Sequence, residues 1–153
     1  MKNFKYLLVF LVSLALASHK TVFAELAFHG GYTFETFDGQ KAAAVYVSVF
    51  NRTDKDIIIK DVQTNICKSA EIHGTFIDKD IVRMKKKKSL RVKGNEQFFF
   101  QPGGTHIMLM GLNKKLKKGT SFTLTFKLEN NKVIDTEIMI LDNKLRKNLL
   151  EVE

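Results

Sequence analysis

Period-two alternation runs through most of this chain and constrains its fold more than any other feature. Apolar and polar residues alternate through Ala43-Ala-Val-Tyr-Val-Ser-Val-Phe50 and again through Phe122-Thr-Leu-Thr-Phe-Lys-Leu128. Successive side chains of a strand point to opposite faces, so this pattern suits sheets with one buried face. Further strands are expected at Ile57–Val62, Ala70–His73, Asp80–Met84, Leu90–Val92, Phe98–Phe100, His106–Met110 and Val133–Ile140, with an early segment at Leu26–Phe37 as an additional candidate. Asn51-Arg-Thr-Asp54, Pro102-Gly-Gly104 and Asn130-Asn131 supply turn chemistry between them. Eight or nine short strands, with no long helical period, imply an all-β fold: a β-sandwich or Greek-key barrel. One domain is expected over residues 25–140, followed by a tail at 141–153 that forms a short helix or frays.

The N-terminal 24 residues read differently. Lys2 and Lys5 precede a 12-residue, largely apolar run, Tyr6–Ala17, and Val22-Phe-Ala24 supplies a small-x-small cleavage pattern. This is the layout of a secretory signal peptide cut after Ala24, and it places the mature chain outside the cytoplasm. The run falls short of the ~20 residues that a membrane span needs. No Cys stands at the cleavage point, which argues against a lipid anchor there. Cleavage trims the formal charge from +9 to +6, because Lys2, Lys5 and Lys20 leave with no acidic residue.

Composition then removes several classes. A single cysteine, Cys67, excludes an internal disulfide and a Cys-based zinc site. In an oxidising compartment that thiol is either buried or available for exchange with a partner. No nucleophile–base pattern, Gly-rich phosphate loop or paired acid motif stands out, so an enzyme is not expected. Nucleic acid is an improbable partner for an exported chain, despite its charge.

The residues that carry chemistry are scarce. After cleavage three histidines remain (His29, His73, His106) and four methionines (Met84, Met108, Met110, Met139). His106 and Met108 lie two apart in an expected strand, so they leave one face together with Met110, while Ile107 and Leu109 face the other way. His73 is expected at the end of one strand and Met84 at the end of the next, and strand ends at one rim can converge. Two imidazoles and two thioethers are neutral and partly soft, a donor set that favours Cu(I) over zinc, calcium or magnesium. Binding should weaken as imidazoles protonate, around or below pH ~6.5. A strand methionine is ordinarily core filling, however, and a histidine ordinarily a hydrogen-bonded structural residue, so spacing alone leaves both readings open.

The spacing His73-x10-Met84-x21-His106-x-Met108 resembles the H-x10-M-x21-H-x-M motif of the periplasmic copper chaperones called PCuAC. Ala43-Ala-Val-Tyr46, Glu71-Ile-His73, Leu116-Lys-Lys-Gly119 and above all Pro102-Gly-Gly-Thr-His-Ile-Met-Leu-Met-Gly-Leu112 are similar to the family's corresponding stretches, and the likeness spans roughly residues 41–140. The resemblance implies a cupredoxin-like β-barrel holding one Cu(I) per chain at an exposed rim through His73, Met84, His106 and Met108. It also implies transfer by ligand exchange to a recipient: the copper subunit of cytochrome c oxidase, or a Sco-type thiol protein. A monomer is expected, with at most transient contact with a membrane surface.

The chain departs from the family pattern in places. Val82 stands where many members carry a second methionine, and the tail 141–153 lacks the His and Met that bind further copper in some members. His29 and Cys67 match no family ligand. Lys85–Lys88 and Lys114-Lys-Leu-Lys-Lys118 read first as solvated loops, and second as a positive rim for an acidic partner or an anionic membrane. Two other classes compete with the chaperone. One is a blue-copper electron-transfer protein, which needs a Cys ligand commonly placed between the two histidines, whereas Cys67 precedes both. The other is a metal-free β-sandwich interaction module.

Overall fold

A computed structural model describes residues 25–79 and 81–150. The expected signal peptide therefore lies outside the described residues. Ten strands form: β1 (Leu26–Phe34), β2 (Ala42–Asn51), β3 (Ile57–Gln63), β4 (Cys67–Asp78), β5 (Ile81–Lys86), β6 (Leu90–Val92), β7 (Gln97–Phe100), β8 (His106–Leu112), β9 (Ser121–Leu128) and β10 (Val133–Leu141). One helix, α1 (Asn143–Leu150), follows in the tail. The count is ten rather than eight or nine, because the early segment and the short runs β6 and β7 all find partners, β6 on β3 and β7 on β2.

The hydrogen-bonded order is β5-β4-β8-β2-β1-β10-β9-β3-β6, with β7 beside β2. Strand β2 explains how one path encloses a core. Its first half pairs with β8 (Ala42↔Met110 to Val45↔Ile107) and its second half with β7 (Val47↔Phe100 to Phe50↔Gln97). One edge of β2 thus serves two sheets, while its other edge pairs with β1. Contacts of β3 with β4 and of β6 with β2 bring the layers together.

The alternation does its expected work in the core. In β2, residues 43, 45, 47, 49 and 51 are buried and their neighbours are not. Val45, Ile107 and Leu109 from one side meet Ile59, Leu124, Phe126 and Ile138 from the other, all fully buried. Asn51 is the polar exception in β2. Its Nδ2 donates to the carbonyls of Lys55 (2.8 Å) and Val92 (3.0 Å), and its Oδ1 accepts from the Thr53 amide (3.0 Å) and hydroxyl (2.8 Å). A buried amide so fully paired clamps the β2–β3 turn onto β6.

The turns obey local chemistry. Asn131 takes φ 63° in the β9–β10 hairpin, a left-handed conformation that asparagine tolerates. Gly103 takes φ 73° in the turn before β8, closed by the Gln101 amide on the Thr105 carbonyl at 2.8 Å.

Candidate metal centre

Register places the four candidate ligands. Strands β4 and β8 run antiparallel with His73 opposite His106 and Glu71 opposite Met108. Strand β5 lies on the other side of β4, with Lys86 opposite His73 and Met84 opposite Thr75. Directly opposed residues share a sheet face, so His73, His106, Met108, Met84, Glu71 and Lys86 all leave one face of β5-β4-β8. Ile72 and Ile107, one residue along, point into the core. His73 and Met84 were expected at strand ends meeting at a rim. Both instead sit within strands, because β4 continues past Gly74 to Asp78 and β5 reaches Lys86. Cross-strand pairing, not convergence of loops, sets His73 beside His106, with Met84 and Met108 on the same face at register positions two residues to either side along β4.

The two imidazoles lie 6.1 Å apart between ring centroids, inclined by 58°. His106 is buried at 6 % exposure, and its Nδ1 lies 3.0 Å from the Gly104 carbonyl. A carbonyl only accepts, so Nδ1 carries the proton and the neutral ring presents Nε2 as its lone pair. The same carbonyl accepts the Thr75 hydroxyl at 3.0 Å, which ties the Pro102-Gly-Gly turn to β4.

His73 is anchored in the opposite sense. Its Nε2 lies 3.0 Å from Glu71 Oε2, and Lys86 Nζ donates to Glu71 Oε1 at 2.8 Å. The hydrogen bond from His73, followed by that from Lys86, holds the Glu71 carboxyl below the usual carboxylate range. An ionised carboxylate can only accept, so His73 donates through Nε2 and its Nδ1 is the free donor atom in the neutral ring. Each imidazole is therefore oriented by an outer partner, as metal-binding histidines usually are. Glu71 was not among the expected site residues. Its position two before His73 would have placed it on the same face by parity.

The thioethers differ in access. Met84 is 61 % exposed. Met108 lines the wall of an open groove of about 650 Å3, together with Phe34, Phe37, Tyr46 and Arg146. Ala44 opposes Met108 on β2, leaving little side-chain bulk on that flank. Among the described residues, no group of three or more His, Cys, Asp or Glu is arranged to hold a metal. The donor chemistry fits a soft monovalent ion: two oriented neutral imidazoles and two thioethers on one face.

The remaining candidates lie elsewhere. Cys67 is buried in the core opposite Leu112 and donates to the Ser69 carbonyl at 3.3 Å. Parity alone would put it on the face of His73. Gly111, at φ 68°, re-aims the end of β8, and Leu112 and Cys67 turn inward together. Burial pushes the Cys67 thiol pKa up, outweighing hydrogen bonds to backbone groups. Cys67 should therefore react with a disulfide reagent at least about 100-fold more slowly in the folded protein than in urea, and Cys67→Ser should leave Cu(I) affinity unchanged. Rapid labelling of the native thiol would contradict this. His29 lies on β1 opposite Ser48, away from the face described.

The second lysine run is partly structural. Leu116 is buried, and its amide and carbonyl pair with the Thr36 hydroxyl (2.9 Å) and amide (3.1 Å), which fixes the lysines around it in place. Lys115 and Lys118 pair with Asp38 and Asp142 at 3.1 and 2.7 Å.

Comparison with known proteins gives this architecture relatives. The family model for LpqE-like lipoproteins matches residues 26–140. The uncharacterized protein RP573 of Rickettsia prowazekii is 27 % identical over 99 residues; the match covers 63 % of this chain and only 55 % of that protein. The copper-bound PCuAC domain from PmoF2 superposes with a TM-score of 0.66 at 15 % identity, covering 82 % of this chain and 99 % of that domain. The Cu(I) form of DR1885 from Deinococcus radiodurans superposes at 0.64 with 19 % identity, covering 85 % and 87 %. At these identities the likeness establishes the fold, the cupredoxin-like β-fold of PCuAC domains.

Proposed function

The chain belongs to the LpqE-like family, and on that premise we propose that it carries one Cu(I) in the periplasm and hands it to a protein acceptor. The observation that carries this reading is the cross-strand His73–His106 pair, which shares its sheet face with Met84 and Met108. The copper held by the PmoF2 domain and by DR1885, on the same fold, supports copper as the cargo. His73, His106, Met84 and Met108 are the proposed ligands. Ligands that are all neutral leave bound Cu(I) with its single charge, so no ligand proton need be displaced near neutral pH.

The unequal burial of the ligands suggests an order for release. Met84 is the exposed donor and His106 the buried one. An incoming acceptor ligand replaces Met84 first, and His106 lets go last. Binding and release of this kind need no substrate turnover. The acceptor is a copper site under assembly, that of cytochrome c oxidase or a Sco-type thiol protein acting before it. Cys67, buried in the core, is not placed to serve as a blue-copper ligand, which disfavours the electron-transfer reading.

Competition against a Cu(I) chelator tests the proposal directly. A dissociation constant weaker than micromolar for the wild-type protein would end it. The outer partner gives a second test. Glu71→Ala frees the His73 ring and is expected to lower Cu(I) affinity roughly 10- to 100-fold, while Glu71→Gln, whose amide oxygen still accepts from Nε2, recovers most of the loss. Equal affinities for Glu71→Ala and wild type would show that the ring needs no such anchor.

A further inference from the structure

Beyond the copper face, the hairpin formed by β4 and β5 has an unusual surface. Phe76, Ile77 and Ile81 near its tip are 43 %, 74 % and 56 % exposed. The register pairs Phe76 with Arg83, Ile77 with Val82 and Asp78 with Ile81. Phe76 and Ile77 are consecutive in an extended strand, so they leave opposite faces, and both are open to solvent. A flat protein interface covers one face of a hairpin. Apolar groups exposed on both faces suit a medium that surrounds the tip.

Charge follows the same element. Between residues 76 and 88 the sequence carries six basic residues against Asp78 and Asp80. Arg83 pairs with Asp78 at 3.2 Å and Lys86 with Glu71 at 2.8 Å. Lys79, Lys85, Lys87 and Lys88 are exposed and have no acidic partner among the described residues. Lys85 lies four residues from Ile81, roughly 13 Å along the strand at ~3.3 Å per residue. Apolar groups of interfacial segments settle about 5–10 Å into the boundary between headgroups and acyl chains. Asp78 stands opposite Ile81 and pairs with Arg83, so the isoleucines settle at the shallow side of that range, and Lys85 stands at the height of lipid phosphates.

We propose that the β4–β5 hairpin docks this protein on an anionic phospholipid surface, with Phe76, Ile77 and Ile81 entering the interface and Lys85, Lys87 and Lys88 meeting the phosphates. Met84 lies between Arg83 and Lys85 along β5 and leaves the opposite face, so tip-first docking stands the copper face upright beside the bilayer surface, within reach of a membrane-embedded acceptor. Docking requires no copper, so its failure and the failure of the copper reading are separable.

The test is flotation of the metal-free full chain with vesicles of phosphatidylcholine and phosphatidylglycerol, against phosphatidylcholine alone. Binding to the anionic vesicles is expected, weakened about tenfold by Ile77→Ser with Ile81→Ser and roughly 100-fold by Lys85→Glu, Lys87→Glu and Lys88→Glu. The apolar N-terminal segment is common to all variants. Binding that it alone drives would leave them unchanged and overturn the proposal. Loss on lysine replacement without loss on isoleucine replacement would reduce the contact to surface charge, and would also overturn it. The chain has no tryptophan, so Ile77→Trp supplies a lone emitter. Its emission should shift to the blue and be quenched by a quencher carried on the lipid. An unshifted spectrum in the presence of anionic vesicles would point to an acidic protein partner and against lipid.

Discussion

Replacing His106 with alanine is expected to lower Cu(I) affinity by on the order of 100-fold or more, the largest loss among single changes on the candidate copper face. Loss of an outer-shell partner alone typically costs 10- to 100-fold, and His106 is proposed as a ligand itself. It is also the most buried of the four, with its ring held by the Gly104 carbonyl, so no neighbouring side chain can readily take its place. Met84→Ala should cost less affinity and act mainly on release, because an exposed thioether is the donor an acceptor displaces first. Chelator competition reads the first effect and stopped-flow transfer to a thiol peptide reads the second. A cooperative melt within a few degrees of wild type separates ligand loss from unfolding. His106→Ala affinity within threefold of wild type would remove this residue from the site.

Phe126→Ala is expected to destabilise the fold by about 3–5 kcal/mol, the usual cost of truncating a fully buried aromatic residue. Phe126 packs against Phe28 at 4.5 Å and Phe100 at 6.2 Å between ring centroids, so the loss reaches β1 and β7 as well as its own strand β9. Domains of this size are stable by only about 5–15 kcal/mol, so one substitution removes a large share of the margin. Urea unfolding followed by circular dichroism measures it. A cost below about 1.5 kcal/mol would mean that the surrounding side chains collapse into the space.

Strand positions were legible because alternation is local. β2 and β9 show it most plainly, with every second residue buried along β2. The four proposed ligands were legible as a spacing, and the shared face of His106 and Met108 as parity. The full extent of β4 was not, because Gly74 reads as a stop and Thr75–Asp78 is held by pairing with β5 rather than by burial. The two partners of β2 on one edge were hidden as well. Register between strands distant in sequence is set by packing, and no single segment records it. Glu71 is a mixed case: its bond to His73, two residues along the same strand, was open to parity, whereas its bond to Lys86 depends on a pairing the sequence does not display.

The parallel pairing of β1 with β10 bears on when this chain can fold. Tyr32 pairs with Met139, 107 positions later. β2 can pair with one edge of β1 early, but the other edge waits for the last strand, and contacts of such long sequence separation put folding in the slow regime of β-rich topologies, with the entropy of closing the loop opposing the pairing until it forms. Such a chain cannot complete its sheet until its final strand has been synthesised. For a chain exported as proposed, that delay would favour threading through a secretion channel, because a sheet still open at one edge resists passage less than a closed one.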